Sequence, residues 1–404
     1  MKILIMMQWC RPEPDFKCIP MARALQARGH DVEVLTGFPN YPGGNVYPGY
    51  RIRLLQRECV EGVPVIRVPI YPSHDRSSIK RALNYLSFAC SAAFIGPFAT
   101  RKPDVVYVYN PMGLPGLVFK VLRGVPFVYD IQDLWPDSIN ASGMMRLGRL
   151  PLALMQYFFA HVYRSASKII VLSPGFKRAL EKRGVPPDKV EVLFNWCNED
   201  ALPSKESQRD RGGDMLDIVY AGNMGRPQAL ECVVEAARRL VVACPRVRFT
   251  FIGGGTEVET LRGRSAGLAN VRFIAQVPQE EIGRHLQQAD VLLVHLKKDP
   301  LFAITVPSKI QFYLATGKPI LAGVAGDAAA LVQRSYAGLT FEPENVDSLV
   351  KCVTQLESLT TTALNAMGQK GRQFYQQELS LNIAANRLES ILASALNPST
   401  RNRP

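Results

Sequence analysis

The feature that most limits this chain is an alternation, made twice, of short apolar runs with amphipathic helical segments. In the first half the runs are Ile3–Met7, Val32–Thr36, Val63–Val68, Val105–Tyr109, Val125–Asp130 and Lys168–Ser173. Each is short, rich in apolar residues and bounded by turn or charged residues, the pattern of a strand buried on both faces. Helical stretches separate most of them; Phe16–Arg28, for example, is amphipathic and is ended by Gly29. Near residue 195 the alternation stops. The stretch NWCNEDALPSKESQRDRGGDM is polar, aperiodic and carries Pro and paired Gly, which reads as a linker. The pattern then restarts with LDIVYAG, VRFTFIGGG, VRFIAQV, DVLLVHL, KPILAG and GLTF, and turns helical from about Asn345. Strands alternating with helices at this spacing form parallel sheets covered on both faces. The expected fold is therefore α/β, with two doubly wound, Rossmann-like domains over 1–200 and 201–375. A C-terminal helix and tail follow over 376–404. Ligands of open α/β sheets bind beyond the strand C-termini, so a cleft facing both sheets is the expected site.

Composition narrows the classes. A chain of 404 residues, 47% hydrophobic and 21% charged, is globular and too long for a single core. Cys10, Cys18, Cys59, Cys90, Cys197, Cys232, Cys244 and Cys352 form no CxxC pair and lie near no histidine. Most read as small core residues in a reducing compartment, with no structural metal. The start MKILIMMQWCRPEP does not read as a signal peptide, and no apolar run approaches the ~20 residues needed to cross a bilayer.

The formal net charge is +13, and residues 1–200 carry 25 Lys+Arg against 16 Asp+Glu, an excess of 9. Nucleic acid, anionic lipid or a phosphorylated substrate would each use it, as would a solubilising surface. No nucleic-acid module with interleaved aromatics appears, so nucleic acid is not an expected partner. Between Arg76 and Lys102 an apolar run, ALNYLSFACSAAFIGPFA, is bracketed by Arg76, Lys80, Arg81, Arg101 and Lys102. It fits a buried helix, or one whose exposed edge touches an anionic bilayer.

Three stretches of the second half point to a diphosphate. Neither half has GxGxxG after its first strand, and Gln8–Asp15 has no glycine, so a nicotinamide dinucleotide is disfavoured. AGNMGRPQ (Ala221–Gln228, with Gly225) and GGGT (Gly253, Gly254, Gly255, Thr256) each follow a strand and open a helix, where small residues let a ligand approach backbone N–H groups. A tight turn would explain either loop alone. The third stretch, Thr305–Gly323, places Pro307 at a first helical turn and Ser308 and Lys309 where free N–H groups point outward. Arg226 and Lys309 are the expected cations, with Lys298 the weaker candidate.

The segments LDIVYAGNMGRPQALECVVEAARRL, FIGGGTEVETL, VRFIAQVPQEEIGRHLQQADVLLV and VPSKIQFYLATGKPIL resemble, in order, the donor domain of family 4 glycosyltransferases of the GT-B fold. RALQARGHDVEVLTGFPNYPGG, VYDIQDLWPDSI and ASKIIVLSPGFKRAL resemble its acceptor-side domain. The resemblance covers nearly the whole chain. TGFPNYP, QDLWPDS and PLFAITVPSK look most like the branch that builds bacterial O-antigens and capsules, including N-acetyl-L-fucosamine transferases. It implies retaining transfer from a nucleoside diphosphate sugar, with uridine diphosphate preferred, and neither cofactor nor bound metal. It also implies a polyprenyl-diphosphate-linked acceptor, and hence peripheral attachment to the inner face of the inner membrane with C-terminal helices packing back toward the first domain. By the match, Asn223 and Arg226 lie at the diphosphate, Gly253 and Gly254 line the donor cleft, Val277 meets the base, and Ser308 and Lys309 meet the phosphates.

Two departures stand out. Where the family often has a pair of glutamates eight positions apart, this chain has Ala303 and Gln311. Gln311 is left to meet a ribose hydroxyl, and the PLFAIT backbone to hold the sugar. Where the family often has a histidine before the aspartate at a first-domain strand end, this chain has Gln132, which cannot act as a base. Asp133 is then the expected catalytic carboxylate, with Asp130 and Asp137 as lesser choices and a helix N-cap as its structural alternative. Of the histidines, His30, His74, His161 and His285 suit structural or surface places, and only His295 sits at a strand end that could face the cleft. A nucleotide-sugar 2-epimerase of the same fold is the alternative reading.

Overall fold

In a computed structural model, residues 1–15, 17–73, 78–109, 113–135, 148–202 and 215–396 are described. The chain divides into two compact units, Met1–Phe194 with Leu381–Pro404, and Asn195–Ser380. The crossings fall at 194/195 and 380/381, where the sequence placed them at 200 and 375. Hydrogen bonding and burial account for the shift. Trp196 and Cys197 at the head of the polar stretch are buried at 5% and 4% exposure, so the second unit begins before the polarity does.

The first unit is built on β1 (Lys2–Met7), β2 (Asp31–Gly37), β3 (Gln56–Val60), β4 (Val63–Val68), β5 (Val105–Tyr109), β6 (Phe127–Ile131), β7 (Lys168–Val171) and β8 (Val190–Val192). Their order is β3-β4-β2-β1-β5-β6-β7-β8, parallel except for the β3–β4 hairpin. β1 sits between β2 and β5, so chain order reverses at its C-terminal end. All six sequence-expected strands form. β3 and β8 went unread because β3 is a polar edge strand, QRECV, and β8 has only three residues. The helix Cys18–Gln26 buries Cys18, Ile19, Met21, Ala22 and Leu25, and Gly29 beyond it takes a left-handed φ of 84°. The last helix, Leu381–Leu396, belongs to this unit: Arg28 Nε donates to Asn386 at 2.9 Å, and His30 pairs with Glu389 at 2.9 Å.

The second unit is a sheet of β9 (Leu216–Ala221), β10 (Val247–Ile252), β11 (Val271–Ile274), β12 (Val291–His295), β13 (Ile320–Gly323) and β14 (Gly338–Phe341). Its order is β11-β10-β9-β12-β13-β14, parallel throughout, and it reverses between β9 and β12. Ile218, Val233, Leu240, Phe249, Leu293 and Leu349 lie in its core.

Tyr375, in a π-helical turn over Tyr375–Leu379, fastens the two ends of this unit. Its hydroxyl accepts from the Cys197 amide at 3.2 Å and donates to Glu199 at 2.7 Å. Tyr375→Phe leaves the buried Cys197 amide without its acceptor and should cost about 1–2 kcal/mol in urea unfolding. An unchanged midpoint would show that the tether contributes nothing.

Candidate functional site

At the C-terminal ends of β9 and β10 the two glycine loops pack backbone on backbone. Gly222 N donates to Ile252 O at 2.8 Å, Met224 N to Gly254 O at 2.7 Å, and Glu257 N to Met224 O at 3.0 Å. A Cβ on Gly253 would lie 2.3 Å from Gly222 O, and one on Gly255 would lie 2.3 Å from Met224 O. Both residues have φ beyond +130°, a region that side chains avoid.

Against this pair stands the helix Ser308–Thr316, with Pro307 one residue ahead of it and Gly317, at φ 73°, ending it. Ser308 is exposed in the first turn, whose amides have no helical acceptor. Tyr313 anchors the helix by accepting from Ala221 N at 3.3 Å. Lys309 lies over Tyr220, its Nζ 2.5 Å from the hydroxyl and 3.8 Å from the ring centroid, and Tyr220 donates on to Asn223 O at 2.5 Å. A Cβ on Gly222 would meet Lys309 Cε at 2.8 Å, so the missing side chain makes room for the lysine. Burial pushes the Lys309 ammonium down to about 7. Among the described residues no carboxylate pairs with it.

The other expected donor-site residues fall less close. Arg226 is 91% exposed and lies 3.5 Å from Glu257. Lys298 is exposed and paired with Glu342 at 2.8 Å, which raises its pKa. Val277 is half-buried just after β11. Gln311 is 2% exposed, and its amide nitrogen donates to the carbonyls of Pro307 at 2.8 Å and Ser308 at 3.2 Å. These bonds tie its amide nitrogen to the first turn of its own helix. Ala303 packs its carbonyl against Gly326, where a Cβ would lie 1.9 Å away. His295 is likewise structural. Buried at 1% exposure, it meets Gln228 O at 2.7 Å through Nδ1 and accepts from Glu344 N at 3.1 Å through Nε2. Burial lowers its pKa, so it stays neutral and steadies the Asn223 loop.

In the first unit Asp133 stands exposed just past β6, with protein crowded round its carboxyl so that its pKa is raised. Asp137 and His74 lie outside the described residues, as do 136–147, on which the helix-cap alternative turns. Asp130 is buried at 3% exposure and accepts from Tyr107 Oη and Gln132 Nε2, each at 2.5 Å. Burial raises its pKa, while Lys17 opposes the shift. Lys17 is itself buried, its Nζ 2.8 Å from Tyr109 Oη, and burial brings it down to about 8 against the pull of Asp130 and Asp15. Glu13, also buried, receives the amides of Cys10, Asn40 and Tyr41 at 3.0, 2.8 and 2.8 Å and so holds together the loops after β1 and β2. Burial still pushes it up to about 6.

Cys10, Asp15 and Cys18 bring ligand-type atoms within 4.8 Å of one another, a cluster the cysteine spacing did not suggest. Asp15, however, already accepts the amides of Lys17, Cys18 and Ile19, and the Cys18 thiol is held well above its usual range, first by its bond with Cys10. A thiol held protonated at Cys18 and a carboxylate already accepting three amides make a poor cation site.

Two family models match the chain: a glycosyl transferase 4-like domain over residues 20–196, and glycosyl transferases group 1 over 216–358. The chain belongs to the family 4 glycosyltransferases. WcaI of Escherichia coli K12, named as a glycosyl transferase of colanic acid biosynthesis, is 28% identical over 83% of this chain and 86% of its own. WbjE of Pseudomonas aeruginosa, named as a probable glycosyltransferase, is 24% identical over 74% and 76%. Among solved structures, Anabaena Alr3699/HepE in complex with UDP and glucose superposes with a TM-score of 0.65 at 16% identity, over 98% of this chain and all of that one. WaaG, a glycosyltransferase involved in lipopolysaccharide biosynthesis, also gives 0.65 at 16% identity, over 96% and 99%. These likenesses show the GT-B fold.

In this glycosyltransferase Lys17, Tyr109 and Glu13 are residues of the strand ends that sequence reasoning did not single out. The loop after β1 lacks glycine, yet QWCRPEPDFKC packs four charges beside a strand end. Lys309 gives a stability test. Its folded value of about 7 lies below the 10.5 of a free lysine, so the unfolded chain holds the extra proton between those limits. The resulting penalty is full below pH 7 and fades as pH rises toward 10.5. Lys309→Met should therefore stabilise the ligand-free transferase by roughly 1–2 kcal/mol at pH 7, a figure reduced for partial exposure, and by less at pH 9. Urea melts at both values check it; a destabilised variant would mean that the lysine is satisfied as it stands.

Proposed function

We propose that this transferase moves a sugar, with retention, from a nucleoside diphosphate donor to a polyprenyl-diphosphate-linked saccharide during surface polysaccharide assembly. Uridine diphosphate is the proposed leaving group, and N-acetyl-L-fucosamine the sugar to which the sequence resemblance points. The observation that carries the donor half is Lys309, a half-buried cation with no carboxylate partner among the described residues, set beside two glycine loops at the reversal point of the second sheet. Polysaccharide assembly is supported by the name of WcaI, and uridine diphosphate by its presence in the HepE complex.

Breaking the bond from sugar to diphosphate builds negative charge on the leaving oxygen. The Lys309 ammonium and the first-turn amides at Ser308 stabilise that charge with little reorganisation, because packing already fixes both. The neighbouring Asn223 loop, Gly225 and the Gly253–Gly254 turn let the phosphates approach backbone, Arg226 closes over them from solvent, and Val277 borders the base. Neither a cofactor nor a metal is assigned to this site. Asp133 receives and orients the acceptor hydroxyl. Its raised pKa makes the carboxylate a better hydrogen-bond acceptor for that hydroxyl, and in a retaining reaction the proton goes to the departing diphosphate.

Nucleotide binding tests the donor half. At ~100 times its dissociation constant, uridine diphosphate should stabilise the protein by about 2.7 kcal/mol without added metal. A phosphate beside Lys309 raises its pKa from about 7. Binding should therefore take up a proton at pH 8 and fewer at pH 6, as read by calorimetry in buffers of different ionisation enthalpy, and Lys309→Met should abolish the difference. No stabilisation by uridine, guanosine or adenosine diphosphate would remove the donor site. Turnover of a sugar nucleotide without acceptor, by inversion at its C2, would instead identify an epimerase.

Membrane attachment is the second part of the proposal. The helix Ser78–Phe94 leaves Ile79, Leu83, Leu86 and Phe94 exposed at helical spacing, with Arg101 and Lys102 just beyond, and no helix among the described residues is long and apolar enough to cross a membrane. The protein should float with vesicles containing anionic lipid at low salt and be released by 0.5 M salt or by Leu83→Glu. Failure to float on anionic vesicles would sink this part alone.

A further inference from the structure

Four aromatic rings from four separate segments meet beside Asp133. Trp9 follows β1, Tyr41 follows β2, Tyr85 lies on the helix Ser78–Phe94, and Trp135 follows β6. Trp9 is 4.8 Å from Tyr41 and 6.0 Å from Tyr85, centroid to centroid, and Tyr85 is 6.4 Å from Trp135 at 82°. None belongs to the buried core; each is half-exposed. Two of the chain's three tryptophans are committed here. Burial raises the Tyr85 hydroxyl, and the Asp133 charge raises it further, so ring and carboxylate share one surface.

Two donors at this surface have no partner among the described residues. They are the indole Nε1 of Trp135 and the Nε of Arg81, both shielded from solvent. Arg81 is one helical turn before Tyr85, and its charge acts on the Tyr85 hydroxyl. The exposed Ile79, Leu83 and Leu86 lie on the opposite face of the same helix.

We infer that this surface binds the polar head of the lipid-linked acceptor, with its saccharide stacked on the Trp9–Tyr41–Tyr85–Trp135 rings and its diphosphate at Arg81. The chemistry of the surface matches such a ligand part by part. A pyranose presents C–H groups on its faces and hydroxyls at its rim, so amphipathic rings take the face while Asp133 and the Trp135 indole N–H take the rim. A guanidinium one turn away suits a phosphate. The inference rests on the glycosyltransferase reading and specifies its acceptor site.

The test uses the full chain and two synthetic probes, farnesyl diphosphate and farnesyl diphosphate bearing N-acetylglucosamine, followed by tryptophan fluorescence. The sugar should tighten binding by tenfold or more. Trp9→Ala and Tyr85→Ala should erase that gain while leaving farnesyl diphosphate within about threefold, Tyr85→Phe should keep it, and Arg81→Gln should weaken both probes. Circular dichroism excludes variants that fail to fold, and Tyr85→Phe guards against a merely structural effect of truncation. The inference is overturned if the sugar adds nothing, if the ring variants weaken both probes alike, or if neither probe gives a saturable response. Stabilisation by uridine diphosphate, measured on the same samples, separates the two failures. If it persists while the probes fail, only the acceptor site is lost; if it is absent, the transferase reading falls as well.

Discussion

The contact on which the second unit's site depends is one between backbones. Gly253 and Gly255 lie so close to the carbonyls of Gly222 and Met224 that a single Cβ on either would stand 2.3 Å from an oxygen. No side chain intervenes, so nothing in that contact can change rotamer, and the loops after β9 and β10 behave as one piece. Gly222 in turn clears the space that Lys309 occupies, while Tyr313 and His295 fasten the surrounding elements from behind. A lysine held this firmly in partial burial cannot move out to water, and its lowered pKa follows from that rigidity.

The first unit handles buried charge differently, and the contrast sorts function from scaffold. Lys17 is more deeply buried than Lys309, yet Asp130 and Asp15 act on it, and Asp130 is further held by Tyr107 and Gln132. Glu13 has three amides. These groups are satisfied within the chain, and their work is to hold the strand-end loops. Lys309 has a phenol and an aromatic face, which ease its burial without neutralising it. Asp133 sits between the two cases, crowded but open to solvent, which suits a carboxylate that meets a partner from outside.

The fold was legible because parallel strands buried on both faces leave continuous apolar runs, and twelve of the fourteen strands do so. β3 did not, because an edge strand keeps one side wet and alternates polar residues; β8 is too short to show a pattern. At the site, glycine loops and a Pro-Ser-Lys helix entry are local signals, and the residues they mark do come together. Gln311 and Arg226 went differently because burial direction and exposure are set by packing that no short motif encodes. The aromatic cluster was invisible for a related reason. Its four rings are separated by as many as 126 positions in the chain (135 − 9) and become neighbours only where the sheet brings strand ends together.

Charge completes the argument. Much of the basic excess of the first half is not gathered into any binding group: Arg23 pairs with Glu61, Arg67 with Glu58, Arg101 with Asp31, and Arg28 lies near Glu389. Pairing at a surface contributes little to stability, and it does not cancel a surplus that the pairs leave over. That surplus acts beyond contact distance, within about 8 Å of the surface at physiological salt. A small donor reaching a rigid loop pair needs one well-placed cation; an amphiphilic, anionic acceptor confined to a charged bilayer is better collected by a field. The distribution of basic residues along this chain therefore matches two different modes of recognition, local in the second unit and diffuse in the first.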